Sequence, residues 1–407
     1  MVDSPAGRHA AAIACCLLAA VLALTLAACG SDSGDSGGSG SSGEGGAVPD
    51  GPIVIGAAVA ESGDFAPYDE GPLRAVRAAI SDVNAAGGVD GHRLELVVSD
   101  TTSDPAKGGE SALDVISKGA KIVVLTCDFD NSSAAAQTAA SKGVIAVSTC
   151  GGSDRFNPDV LGPLVFSMAT RGVAEGENMA QWAYERMGWR RGFLVRDTNI
   201  AYAQDLCGGM DATFTRLGGE IAGQATFKGG DQRFTAQISD VRKADPDFVF
   251  VCAGAGEGTP FMKQLRAAGI DTPILAGAAF DGTYWQNAVP GLSDVYFATY
   301  GSLLGDDPRP AVNRFFADLE RRDGKKSVTS FDLTGYALVE AFKRGVEKAG
   351  SVDGEALSRA YESFRDERLI TGPQTFTASE HISGLRPMAI MEVQGGRLQF
   401  VELYPER

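Results

Sequence analysis

The sequence predicts an α/β protein: two doubly wound, parallel-sheet lobes. Two patterns and a size predict it. Apolar runs of strand length alternate with amphipathic helical stretches from Ile53 onward, and the alternation restarts after Arg171. Runs without polar alternation suit strands covered on both faces, and successive βα units build parallel sheets. The chain has 407 residues, enough for two ordinary domains beside a non-globular front end.

Taken in order, Ile53-Val54-Ile55-Gly56-Ala57-Ala58-Val59 is the first strand. A Gly- and Pro-containing loop runs on through Pro72. The next helix carries Leu73, Val76, Ile80 and Val83 at spacings of three and four, and Gly87-Gly88 stops it. Residues 94–98 form a strand. Asp104-Pro105 then opens a helix with a capping side chain and a proline at the first position. A strand over 121–126, an Ala-rich helix over 132–142 and a strand over 144–148 complete the first series. The second begins with a helix bearing Met179, Trp182, Ala183 and Met187, followed by a strand over 192–195. A helix with Leu206, Met210, Phe214 and Leu217 comes next. Strands over 221–227, 248–252 and 273–276 then alternate with helices over 234–243 and 261–268. Helices over 334–348 and near 354–364 follow. A hairpin of 387–393 and 397–403, turning at Gly395-Gly396, ends the chain.

The front end reads differently. Arg8 and His9 precede an apolar run over 10–28 that ends Leu26-Ala27-Ala28-Cys29. A basic flank, an apolar stretch and small residues before a cut site make a secretory signal over 1–28. The tetrad resembles the bacterial lipobox, which implies cleavage before Cys29 and diacylation of its thiol. Residues 29–50 are mostly Gly and Ser and read as a flexible tether. Gly34-Asp35-Ser36-Gly37-Gly38 fits G-x-S-x-G, but a tether cannot supply the strand-to-helix turn that this nucleophile motif needs.

Charge and composition narrow the function. A formal net charge of −16 opposes a nucleic-acid backbone as partner. Three histidines, His9, His92 and His381, leave little for a histidine metal site or a Ser-His-Asp triad. No Walker A or H-E-x-x-H motif is present, so neither an enzyme nor a cofactor is expected. Of seven cysteines, Cys127, Cys150, Cys207 and Cys252 lie beyond the tether. An even number in an exported chain suggests two disulfides, with three possible pairings and four free thiols as the alternative. Cys127 and Cys150 end successive predicted strands, which favours Cys127–Cys150 with Cys207–Cys252.

Parallel sheets bind ligands beyond the carboxyl ends of their strands, so two facing lobes enclose a cleft. Several stretches resemble the leucine/isoleucine/valine-binding family, the type I periplasmic solute-binding proteins of ABC importers. They are Ile53-Val54-Ile55-Gly56 with Ser62-Gly63 and Tyr68-Asp69-Glu70-Gly71; Ile80 through Gly91, reading ISDVNAAGGVDG; Ser99-Asp100 with Asp104-Pro105; Phe248-Val249-Phe250; and Lys263 through Gly269. The likeness runs in order through residues 51–407. It implies a first lobe of 51–170 plus 301–376 and a second of 171–300 plus 377–407. The crossings then fall near Arg171, Tyr300 and Phe376-Thr377.

The resemblance also implies a site. Tyr68 matches an aromatic in the loop after the first strand. Asp128, Phe129 and Asp130 lie in the loop after the third strand, and Cys150, Gly151 and Gly152 in the loop after the fourth. Tyr202 matches an aromatic of the second lobe that closes over the ligand, and Phe331 lies near another. Amino-acid-binding members set an acid against the ligand ammonium. That position falls on Ala278 or Ala279 here, with Asp281 two or three residues late, so Asp281 serves as ligand or as cap of a helix starting at Thr283. Asp128 stands in a loop that favours anions, where an acid would repel a carboxylate and attract an ammonium or amide N–H. Trp285 reads as core, and Glu175 and Glu257 sit near strand or hinge ends.

The function expected is capture of a small polar solute by a monomeric, lipid-anchored extracytoplasmic protein. The solute would be an amino acid of branched-chain type, or a related amide or small organic acid. The partners are that ligand, an ABC permease, and the membrane through the anchor alone. The alternative is a sensor presenting solute to a membrane receptor, since fold alone does not decide function.

Overall fold

The computed structural model describes residues 51–405. The signal, Cys29 and the tether expected from the sequence lie outside the described residues.

The first series is β1 (Ile53–Val59), α1 (Ala66–Ala85), β2 (Leu94–Asp100), α2 (Gly108–Ser117), β3 (Ala120–Leu125), α3 (Phe129–Ser141), β4 (Ile145–Ser148), α4 (Pro158–Leu161) and β5 (Val165–Thr170). The second is α5 (Gly172–Glu185), β6 (Arg191–Asp197), α6 (Ala201–Arg216), β7 (Glu220–Phe227), α7 (Thr235–Ala244), β8 (Phe248–Cys252), α8 (Ala255–Ala267), β9 (Ile274–Ala276) and β10 (Val295–Thr299). The chain then adds α9 (Pro310–Asp323), α10 (Asp332–Ala349), α11 (Gly354–Glu362), a small ribbon β11 (Glu367–Leu369) and β12 (Gly372–Gln374), then β13 (Ile382–Ser383), β14 (Met388–Gln394) and β15 (Arg397–Tyr404).

Two sheets result. The first has strand order β13-β5-β4-β3-β1-β2, with every pair parallel. The second has order β15-β14-β10-β9-β8-β6-β7, parallel except where β14 meets β10 and β15. In each sheet the order reverses beside the first strand, β1 or β6. The crevice at the carboxyl ends of such strands is where parallel sheets place ligands.

The local signals act as their chemistry requires. Asp104 accepts the Ala106 N–H, with Pro105 next to it, though the turn it opens is a 3₁₀ turn leading into α2. Gly87 and Gly88 take φ of +104° and +85°, and the Gly88 N–H bonds Val83 O, which ends α1. Gly395 and Gly396 lie at φ of +59° and +74°, the left-handed pair that a two-residue hairpin needs. Gly335 sets how closely α10 crosses α1, because a Cβ there would stand 2.1 Å from Pro72 O.

Three expectations change. Helix α1 begins at Ala66, before Pro72, with Pro67 in its first turn, so Tyr68 is a helix residue and not a loop residue. Pro72 then costs only the bond to a first-turn carbonyl. Strands β5 and β10 and helix α9 lie where the sequence pattern predicts no element. The third crossing falls after Ser383, beyond Phe376-Thr377. Ile382 pairs in parallel with Ser167 of β5, and the Ser167 N–H bonds His381 O, which keeps 377–383 with the first sheet.

One buried cation joins all three crossings. Arg386, on the third, donates to Thr170 Oγ1 at 2.8 Å, Met168 O at 3.0 Å and Gln374 Oε1 at 3.1 Å. Its guanidinium lies over the ring of Tyr300, 5.2 Å from the centroid, and Tyr300 Oη accepts the Thr170 N–H. Burial lowers its pKa, and neighbouring Tyr300 opposes that shift.

Candidate functional site

The strand ends of the two sheets enclose a cavity of about 890 Å³. Asp69, unremarked in the sequence beyond its motif, builds the first-lobe side. Its Oδ2 accepts the Ala60 N–H at 2.7 Å and its Oδ1 the Cys127 N–H at 2.8 Å. One buried carboxyl thus clamps the ends of β1 and β3, where the strand order reverses. Burial pushes it up to about 7.

The disulfide Cys127–Cys150 ties the ends of β3 and β4, and both residues line the cavity. Cys207–Cys252 ties α6 to the end of β8. Asp128 lines the cavity as the cap of α3, its Oδ1 accepting the Asn131 N–H at 2.9 Å. Burial pushes this carboxyl up to about 6.

Several hydrogen bonds cross between lobes beside the cavity. Tyr68 Oη accepts the Ala255 N–H at 3.1 Å, and Asp130 Oδ2 accepts the Ala201 N–H at 3.0 Å. Asp205 Oδ2 accepts from Ser153 Oγ at 2.8 Å and from the Asp154 N–H at 3.0 Å. Ala255 and Ala201 open α8 and α6. Tyr202 lies flat against Gly152, where a Cβ would come 3.0 Å from two ring atoms; glycine is what admits the ring. Tyr202 Oη donates to Glu175 Oε2 at 2.5 Å, and Glu175 also accepts the Ala278 N–H at 3.0 Å. Burial pushes Glu175 up to about 7.

Of the residues expected from the resemblance, Tyr68, Asp128, Asp130, Cys150, Gly152, Tyr202 and Phe331 line the cavity. Gly151, Phe129 and Asp281 do not. Gly151 sits over Phe156 with its N–H on Ser148 Oγ. Phe129 stacks edge-on against Phe156 at 5.7 Å. Asp281 turns away to accept the Ser330 N–H at 2.5 Å and Ser330 Oγ at 2.7 Å. No helix begins at Thr283 for it to cap; a short 3₁₀ turn starts only at Gln286. Trp285 is core, against Phe280 and Phe297.

Asp64, Asp197, Asp231 and Tyr284 line the cavity without being expected from the sequence, and so do Glu175 and Glu257, which the sequence places only near strand or hinge ends. Asp197 ends β6, the position that the strand-end rule marks in the second lobe. Tyr284 stands edge-on to Tyr68 at 6.2 Å. In all, seven carboxyl residues line the cavity: Asp64, Asp128 and Asp130 from the first lobe, Glu175, Asp197, Asp231 and Glu257 from the second. No Lys, Arg or His does. Among the described residues no group of three ligating side chains could hold a metal ion.

Two parallel-sheet lobes that meet around one enclosed space define a bilobal binding protein. The family model described as periplasmic binding protein matches residues 52–397, and the chain belongs to that family. Among curated relatives, Leu/Ile/Val-binding protein homolog 3 of Brucella melitensis is 24% identical over 336 residues, covering 81% of this chain and 89% of that protein. Among solved structures, the branched-chain amino acid transporter substrate-binding protein LivJ of Streptococcus pneumoniae, in complex with isoleucine, superposes with TM-score 0.77 at 22% identity. It spans 86% of this chain and 99% of LivJ. An ABC-transporter solute-binding protein of Rhodopseudomonas palustris, in complex with 3,4-dihydroxybenzoic acid, gives TM-score 0.73 at 20% identity, over 87% and 96%. The relatives are binding proteins of transporters, not enzymes.

Proposed function

We propose that this protein is the extracytoplasmic solute-binding component of an ABC importer, closing on a small polar solute by rotation about its three crossings. The observation that carries this is the cavity itself: about 890 Å³, lined from both lobes and bridged by hydrogen bonds between them. That volume is in the range of small-molecule sites. A ligand touching both lobes favours the closed arrangement by its differential affinity. The relatives' ligands, isoleucine in one and 3,4-dihydroxybenzoic acid in another, support an amino acid of branched-chain type or a small organic acid as solute, and a related amide has similar size and polarity.

The anchor belongs to the same proposal. Leu26-Ala27-Ala28-Cys29 after an apolar run, with a Gly/Ser tract behind it, supports a lipid on Cys29. Among the described residues no helix is long and apolar enough to cross a membrane. Cys29→Ser should move the expressed protein from the membrane fraction to the soluble one and abolish fatty-acid labelling.

Titration of the purified protein against amino acids, amides, amines and aromatic acids tests capture. Tryptophan fluorescence should report saturable binding, and small-angle scattering a smaller radius of gyration with ligand. Saturation without compaction would refute closure; turnover of a bound solute would refute the transport role.

A further inference from the structure

We propose that the group this cleft recognises is an organic cation, a protonated amine or guanidinium, seated against Asp197 and Glu257. The inference rests on the solute-capture reading and narrows it.

Three observations carry it. The first is the sign of the walls, with seven carboxyl residues facing the space and no basic side chain among its lining. Arg386, the one Lys or Arg buried among the described residues, is not part of the lining and donates to Met168, Thr170 and Gln374. Bringing a carboxylate into such surroundings adds like-charge repulsion to its desolvation cost.

The second is the fate of the backbone donors. Helix N-termini are ready anion sites, yet here the protein's own oxygens occupy them. Asp128 takes a donor of α3, Asp130 the first of α6, Tyr68 Oη the first of α8, and Glu175 the Ala278 N–H. A solute carboxylate would have to displace these contacts.

The third is an unmet acceptor. Asp197 is 1% exposed and lines the cavity. Its Oδ1 accepts the Asn199 and Gly229 N–H groups at 2.9 and 3.1 Å, while its buried Oδ2 has no partner. Glu257 is its neighbour across Gly229, where a Cβ would lie 3.3 Å from Asp197 Oδ2 and 3.4 Å from Glu257 Cγ. Burial raises the Glu257 pKa, and the charges of Asp197 and Asp64 raise it further. A buried acceptor beside a second carboxyl asks for a donor that carries positive charge. Among the described residues no three ligating side chains gather to hold a metal ion, so an organic donor fits this pair better. Tyr68 and Tyr284 also line the cavity, and aromatic rings stabilise a nearby ammonium or guanidinium.

Calorimetric titration with matched pairs tests this: isoamylamine against isovalerate, leucinamide against leucine, agmatine against 4-hydroxybenzoate. The amine or amide member should bind at least about tenfold more tightly in each pair, the scale of one charge-assisted hydrogen bond. Asp197→Asn keeps an acceptor for Asn199 and Gly229, and should weaken amine binding about tenfold or more without lowering the melting temperature. Glu257→Gln, on the exposed first turn of α8, provides a second variant should the first fold poorly. Saturable binding of the carboxylates with none of the amines would overturn the cation inference and leave solute capture standing. Undiminished amine affinity in both variants would overturn the seat. Silence from every compound would overturn both readings.

Discussion

Tyr68 of the first lobe accepts, through its Oη, the N–H of Ala255, the first residue of a second-lobe helix. The bond spans 3.1 Å between elements 187 residues apart in sequence. It makes a cavity-lining tyrosine also a strut between lobes.

Tyr68→Phe separates those roles. The ring stays against Phe331, 6.3 Å between centroids, while the acceptor is lost. The Ala255 N–H loses a partner worth about 1 kcal/mol, so affinity should fall roughly fivefold. Titration of both proteins with the same solute checks it; equal affinity would show that the strut contributes nothing to closure.

Gly152→Val should hold the lobes apart. A Cβ at 152 already meets the Tyr202 ring at 3.0 Å and Thr170 O at 3.3 Å, and two further methyls leave the ring no room. Overpacking of this kind costs about 1–3 kcal/mol, or roughly tenfold in affinity. Scattering should show a larger radius of gyration with solute present than in the wild type.

Stability should fall as pH rises toward neutrality and above. Burial pushes Asp69, Glu175 and Asp281 up to about 7, against about 4 in an unfolded chain. Between those values the folded form binds more protons than the unfolded one. The contribution is therefore complete below about pH 4 and lost as pH rises through about 7. Glu175→Gln removes one such group. Tyr202, Tyr300 and Arg386 face it, and only the carboxyl titrates near neutrality. Its melting temperature should vary less between about pH 5 and about pH 8 than that of the wild type; parallel curves would assign the dependence elsewhere.

Arg386→Met tests the hinge. Methionine fills similar volume, but Thr170 Oγ1, Met168 O and Gln374 Oε1 lose their donor in a buried place. The cost should be about 2–4 kcal/mol, read as a lower denaturant midpoint. An unchanged midpoint would mean that the crossings hold together without it.

Much of this architecture was open to a reader of the chain. The βα rhythm, the Asp104-Pro105 start, the Gly87-Gly88 stop and the Gly395-Gly396 hairpin are written in neighbouring residues. Backbone sterics and apolar periodicity act over a few positions, so those signals survive without the fold. Elements with weaker local signals, β5 and β10, escaped. So did the true start of α1, where Pro72 looked like a boundary and is tolerated within the helix.

The amino-acid order alone determined that there are two βα series, an acidic balance and cysteines placed to pair. Tertiary structure decided which carboxyl groups meet. Asp281 falls two or three residues after the expected acidic position, yet its side chain is spent on Ser330, while Asp197, at the end of β6, faces the cavity with an oxygen unpaired. Asp128 and Asp130 are expected to face the solute from one loop, yet each accepts the N–H of a helix, in two different lobes. The reason is physical: a side chain's direction and its hydrogen-bond partners depend on segments tens to hundreds of residues away, and those are neighbours only once both sheets have formed.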